Sequence, residues 1–382
     1  MAIAVIVAAL AAVLAAGEGG AGQPVPGDIS VQTADVGEVD RAARLLAGLR
    51  DDLPAREWRA RHYTRRLARA FEHFEAKVGA PMQAWAADAL AQSSGDTVFY
   101  PFSGADFPTA RRMYPNASRY VLVAMQRGGP PPRPEQLERD EREAMLAGYE
   151  PLLTGFLRRG FFKTEEMNDG TRRGQPVRGI TGLLMAFAAR EGFEVLAVTP
   201  IDLDAAGDVV DHAGDRARAA TWDSVRLSLR RRSDGQAVAL EYLRVGLSNM
   251  TLKPDAPEHR FIASLADERV ILKAASHLPQ DINFTAFTGL VLAQAPTIVQ
   301  DETGVAYDDL TRKFAVALYG SYAQVNLLFD DEDQTTLIEA YRAADRVPRL
   351  PFHVGYRKGT QACMLVATRA PAGPPSPVSG NR

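Results

Sequence analysis

The stretch from Asp96 to Met125 constrains the fold more than any other part of the chain. Thr97-Val98-Phe99-Tyr100 reads as a buried strand, Pro101 to Asp106 as a turn, Phe107 to Met113 as a short helix and Arg119 to Met125 as a second strand. That succession is a compact β-loop-α-β unit. A second unit of the same outline, built from different residues, comes later: strand Val270 to Lys273, loop Ala274 to Asp281, helix Phe284 to Gln294 and strand Thr297 to Asp301. Antiparallel signals accompany them. Val225 to Arg231 and Ala237 to Leu247 flank Ser233-Asp234-Gly235, and Asp-Gly between two apolar runs is a strong hairpin signal. Phe352 to Tyr356 and Gln361 to Thr368 bracket Lys358-Gly359 as a closing hairpin.

The remaining segments fill in the organisation. Val39 to Arg50 and Glu57 to Leu90 carry helical spacing, with Trp58, Tyr63, Leu67, Phe71, Phe74 and Val78 on one stripe and Gly79-Ala80-Pro81 as a break. Arg56, Arg59, Arg61, Arg65, Arg66 and Arg69 decorate the same helix, and such a run reads first as a solvated face. Gly128 to Pro134 is expected to be an exposed extended loop, followed by a helix from Glu135 to about Leu157. Gly182 to Arg190 reads as a helix closed by Gly192, and Phe193 to Pro200 as a strand. Further helical pattern lies near Gln334 to Ala344. Strands alternating with helices, together with antiparallel hairpins, predict an α/β fold: a three-layer Rossmann-like mixed sheet with antiparallel hairpins and an N-terminal helical extension. The expected divisions are 1–22 as a signal peptide, 23–95 as linker and helical extension, 96–369 as the α/β domain and 370–382 as a disordered tail.

Composition narrows the class. Hydrophobic residues are 46% and charged residues 24% of 382, enough to bury a core. Lys and Arg number 44 against 47 Asp and Glu, so no basic footprint points to nucleic acid. The one cysteine, Cys363, excludes an intramolecular disulfide and a Cys-rich zinc site and reads as a small core residue. Ala2 to Ala16 is an unbroken apolar run, shorter than the roughly 20 residues of a membrane span. The small residues Ala15-Ala16-Gly17 after it fit a cleaved secretory signal, although the first basic residue is Arg41. A periplasmic or secreted chain is therefore expected, with no transmembrane helix after cleavage.

In α/β sheets ligands bind outside the carboxyl ends of the strands. That rule nominates the loops Pro101 to Asp106 and Ala274 to Asp281, and with them Tyr100, Ser103, Gly104, Asp106, Ser276, His277 and Asp301 as ligand-binding candidates. Gln126 joins them at the end of the second strand. Asp106 also suits the simpler role of helix N-cap, and Gln300-Asp301-Glu302-Thr303-Gly304 also has ordinary turn chemistry. No Gly-x-Ser-x-Gly surrounds Ser103 or Ser321, and His62, His73, His212, His259, His277 and His353 form no zinc-hydrolase pattern. Asp330-Asp331-Glu332-Asp333 lacks EF-hand spacing and reads as a solvated loop. No metal is expected, and neither a cofactor nor a catalytic residue is assigned.

Val98 to Asp106, Tyr114-Pro115-Asn116-Ala117, Tyr120-Val121-Leu122 and Ile298 to Gly304 resemble an uncharacterised family of exported bacterial proteins with a Tyr-Pro-Phe-Ser-Gly-x-Asp motif. The resemblance covers roughly 96–369, implies a bacterial exported protein and transfers no catalytic residue. The expected function is binding of a small polar ligand at the strand-end loops. One alternative is a Rossmann-like methyltransferase or other nucleotide-cofactor transferase. The first unit resembles those enzymes in outline, but it has Gly104 alone where several glycines are usual, and Gln126 where an acid would hold ribose. Another alternative is a non-catalytic envelope scaffold that contacts a partner through the Arg-rich helix.

Overall fold

The computed structural model describes residues 36–50, 53–54, 56–93, 95–170, 176–212, 222–324, 334–356 and 361–369. The expected signal peptide, the acidic run Asp330 to Asp333, Lys358-Gly359 and the tail from 370 lie outside them. Helices α1 (Val36–Leu46), α2 (Trp58–Phe74) and α3 (Ala80–Ala89) precede the first unit, β1 (Thr97–Pro101), α4 (Phe107–Met113) and β2 (Arg119–Ala124). Then come α5 (Arg139–Arg159), α6 (Thr164–Gly170), α7 (Thr181–Arg190), β3 (Phe193–Leu203), β4 (Val209–Asp211), β5 (Ser224–Arg231) and β6 (Ala237–Arg244). The second half holds α8 (Pro257–Leu265), β7 (Arg269–Leu272), α9 (Thr285–Gln294), β8 (Thr297–Gln300), α10 (Tyr307–Thr311), β9 (Phe314–Gly320), α11 (Thr335–Ala343) and β10 (Cys363–Arg369). No helix among the described residues is long and apolar enough to cross a membrane.

The ten strands among the described residues join one mixed sheet in the order β4-β3-β5-β6-β2-β1-β7-β8-β10-β9. The strands β6, β2, β1, β7 and β8 run parallel at its centre, and the strands outside them pair antiparallel. Central parallel strands are covered on both faces, which is why β1 and β7 are buried throughout. Side chains alternate between two apolar clusters. Val98, Tyr100, Tyr120 and Leu122 pack with residues of α1 to α5 and α7, and Phe99, Val121 and Val123 with residues of α8 to α11. Helices α1 to α3 contribute Leu46, Tyr63, Leu67, Phe71 and Trp85 to the first cluster, so they share a core with the central strands.

The hairpin β5–β6 forms as expected: Asp234 Oδ1 accepts from Gln236 N, and Gly235 takes φ 76°. Four local expectations need correction. The Gly79-Ala80-Pro81 break is bridged by a π-helical turn, Glu75–Gly79, in which Ala80 N donates to Glu75 O; the wider turn lets the helix resume with Pro81 in its first turn, where no proline N–H is needed. Trp58 opens α2 from outside the stripe, 58% exposed, while Ala60 takes an inward position. Gly128 and Gly129 are buried. Their amides donate to Asp223 O and Trp222 O, and the Thr181 hydroxyl donates to both their carbonyls. The glycines permit this contact, since a Cβ on Gly129 would lie 1.6 Å from Arg178 O. Lastly, Phe352 to Tyr356 forms no strand, and β10 pairs instead with β8 and β9.

Candidate functional site

β1 ends at Pro101, and the loop after it takes an unusual backbone path: Phe102 has φ 58° and Gly104 φ 57°. The loop closes at Asp106, whose Oδ1 accepts from Thr109 N at 3.1 Å and caps α4, the simpler of its two expected roles. Its other oxygen is used differently. Asp106 Oδ2 lies 2.7 Å from Lys273 Nζ and accepts from the Tyr100 hydroxyl at 2.9 Å. Lys273 directly follows β7, and its ammonium also donates to the carbonyl of Gly160, the left-handed residue that ends α5. The side chains of Lys273 and Asp106 are 1% and 2% exposed. Burial, and then the Asp106 carboxylate, push the Tyr100 hydroxyl well above its usual range, so it stays a donor.

The loop after β7 is more unusual still. Ala274, Ser276 and His277 have φ of 53°, 55° and 59°. With Phe102, they are four of the five non-glycine residues at positive φ among those described, a conformation that costs each of them energy. Part of the reason is local. Asp301, one residue past β8, accepts from Ala274 N at 2.8 Å through Oδ2 and from Thr303 N and Oγ1 at 3.0 and 2.6 Å through Oδ1. Thr303 in turn accepts from Ala275 N at its hydroxyl and from His277 N at its carbonyl. The two loops are thus clamped together by Asp301 and Thr303. Burial raises the Asp301 carboxyl against these hydrogen bonds, and burial followed by the Asp301 charge raises Glu302 to about 8. Glu302 Oε2 accepts from the Cys363 thiol at 3.1 Å.

The structure therefore brings Tyr100, Asp106, Ser276, His277 and Asp301 to the carboxyl ends of the adjacent parallel strands β1, β7 and β8. Ser276 Oγ is hydrogen-bonded to the Tyr356 hydroxyl at 2.8 Å, and burial lifts that phenol to about 12. Ser103 directs its hydroxyl to its own loop, at Gly104 O. Gly104 faces Phe162, 3.5 Å from where its Cβ would stand. Gln126 leads away, its carbonyl accepting from Tyr242 on β6, the strand on the far side of β2 from β1. Among the described residues no group of three His, Cys, Asp or Glu side chains converges as a metal ion requires.

Sequence reasoning missed Lys273, Tyr356, Thr303 and the turn Gly160 to Phe162. A readable signal existed for Lys273 alone: a charge directly after Val270-Ile271-Leu272, at the end of a strand buried on both faces. The arrangement gathers the Lys273 ammonium, the hydroxyls of Tyr100, Ser276, Thr303 and Tyr356 and the His277 imidazole at one sheet edge, groups that hydrogen-bond polar atoms. Comparison of the chain with protein-family models, curated proteins and solved structures finds no match.

Proposed function

We propose that the chain is an exported bacterial α/β protein, three-layer and Rossmann-like in architecture, that binds a small polar ligand at the loops following β1, β7 and β8. The observation that carries the reading is the coincidence, at one sheet edge, of a buried Lys273–Asp106–Tyr100 cluster with four strained non-glycine residues. The two apolar clusters on alternating sides of the sheet support the three-layer description. The Arg-rich helix gives the scaffold alternative less support, because Arg59 and Arg66 pair with Glu143 and Glu150 of α5.

The test is thermal unfolding of the full chain with a panel of sugars, organic acids, amino acids and phosphate esters. A true ligand at a hundred times its Kd stabilises the fold by about 2.7 kcal/mol. Ser276→Ala and Tyr100→Phe should weaken that response. A compound that stabilises both variants as well as the parent binds elsewhere and defeats the assignment. Intact mass of the protein from periplasm and from cytosol tests export, which predicts a mature chain starting between Gly17 and Gln23 outside the cytosol.

A further inference from the structure

We infer that Gly355–Tyr356 is a latch over the strand-end cluster, an inference that rests on the ligand-binding reading above. Lys273 and Asp106 are closed off from solvent. A ligand reaches Lys273 when part of its cover moves. One half of the cover is fixed: Gly160 is held by Lys273, and Phe162 stacks on Phe156 at 4.7 Å within the core cluster. The ring of Phe161, between them, meets Tyr356 at 4.4 Å.

The other half we assign to Gly355 and Tyr356. Phe352 and Val354 are buried in the core cluster, and Gly355, at φ 62°, follows them directly. Its backbone rests on the Asp301 carboxylate so closely that a Cβ would lie 2.1 Å from Oδ2. Beyond it, Tyr356 reaches Ser276 through its hydroxyl and Phe161 through its ring. Gly355 is therefore the pivot between an anchored stretch and a tyrosine attached to the very loop that carries Ser276 and His277.

The latch is tested by acetic anhydride labelling of the native full-length protein, with the extent at each lysine read by peptide mass and exposed Lys313 as internal reference. Amide hydrogen exchange in β1 and β7 reports global opening in the same samples. Lys273 should label more slowly than Lys313 in the parent. Loss of the Ser276 hydrogen bond in Tyr356→Phe should raise its rate about two- to tenfold, from the 0.5–1.5 kcal/mol of one such bond. Gly355→Ala, which forces the segment off Asp301, should raise it further, with exchange in β1 and β7 unchanged. If Gly355→Ala does not fold, Tyr356→Phe alone decides. The inference is overturned if Lys273 stays unlabelled, or labels only at the rate at which β1 and β7 exchange, in every folded variant. If Lys273 becomes reactive in the variants while no compound of the panel stabilises them, the latch stands and the ligand-binding reading fails.

Discussion

Lys273→Met keeps the side-chain stem and removes the ammonium. Asp106 would retain the Tyr100 hydroxyl and Thr109 N but lose an ion pair 2.7 Å long at 2% exposure. Removing one partner of a buried pair costs about 3–5 kcal/mol, because the remaining charge is left desolvated and uncompensated. The Gly160 carbonyl loses its ammonium donor in the same variant, adding about 1 kcal/mol. Asp106→Asn reverses the experiment. Asn caps helices about as well as Asp, but its one oxygen then serves Thr109 N and its amide NH2 faces Tyr100 and Lys273, so its cost combines the unpaired Lys273 with the lost Tyr100 hydrogen bond. The double variant leaves neither charge buried, and its cost should fall short of the sum of the two by about 2 kcal/mol or more. Urea unfolding of the four proteins, read by midpoint and slope, measures the cycle. Single costs below about 1 kcal/mol, or costs that add within about 0.5 kcal/mol, would refute the reasoning.

Glu302 gives a pH prediction. Its carboxyl is raised to about 8 in the folded chain, so the folded state holds a proton that the unfolded state releases at ordinary carboxyl pH. Stability from this group is complete below the unfolded value and is lost as pH climbs through the folded one. Glu302→Gln should flatten the decline in urea midpoint between pH 5 and about 8; an equal decline in the variant would show that other groups cause it. Gly129→Ala should abolish soluble expression or cost more than about 4 kcal/mol, whereas Gly235→Ala, with nothing within 4 Å of its Cβ, should cost about 1 kcal/mol for its positive φ alone. Similar costs for the two would mean that the approach of Gly129 to Arg178 is unimportant. Phe71→Ala should lose about 3–5 kcal/mol and exposed Trp58→Ala less than about 0.5, both by urea unfolding; a large Trp58 effect would contradict its position outside the stripe.

The parts of this fold that were legible in the sequence are those decided within a few residues. The span Phe107–Met113 is a helix to the residue, because Asp106 caps it and Pro108 suits its first turn. Asp234-Gly235 makes its hairpin for an equally local reason. Gly128 to Pro134 was illegible because its burial depends on Arg178, Thr181 and Trp222, far away in sequence. The partner of β10 was illegible too, since proximity favours Phe352 to Tyr356 while the strand instead fills the gap between β8 and β9. At the site, rules about strand ends find Asp106, Ser276 and Asp301. Lys273 earns its place from Asp106 and Gly160, 167 and 113 residues away, and no local pattern announces such partners.

The position of β10 sets an order of events in folding. β8 and β9 are consecutive strands, yet in the finished sheet they do not pair, because the last described strand lies between them. Until Cys363–Arg369 docks, β9 pairs with no other described strand and the parallel core ends in the bare edge of β8. Released fragments that stop short of Cys363 would carry that edge openly, and unpaired edges recruit other chains. The same gap makes β10 a ready point of control, since a peptide copying Cys363–Arg369 could complete such a fragment in trans.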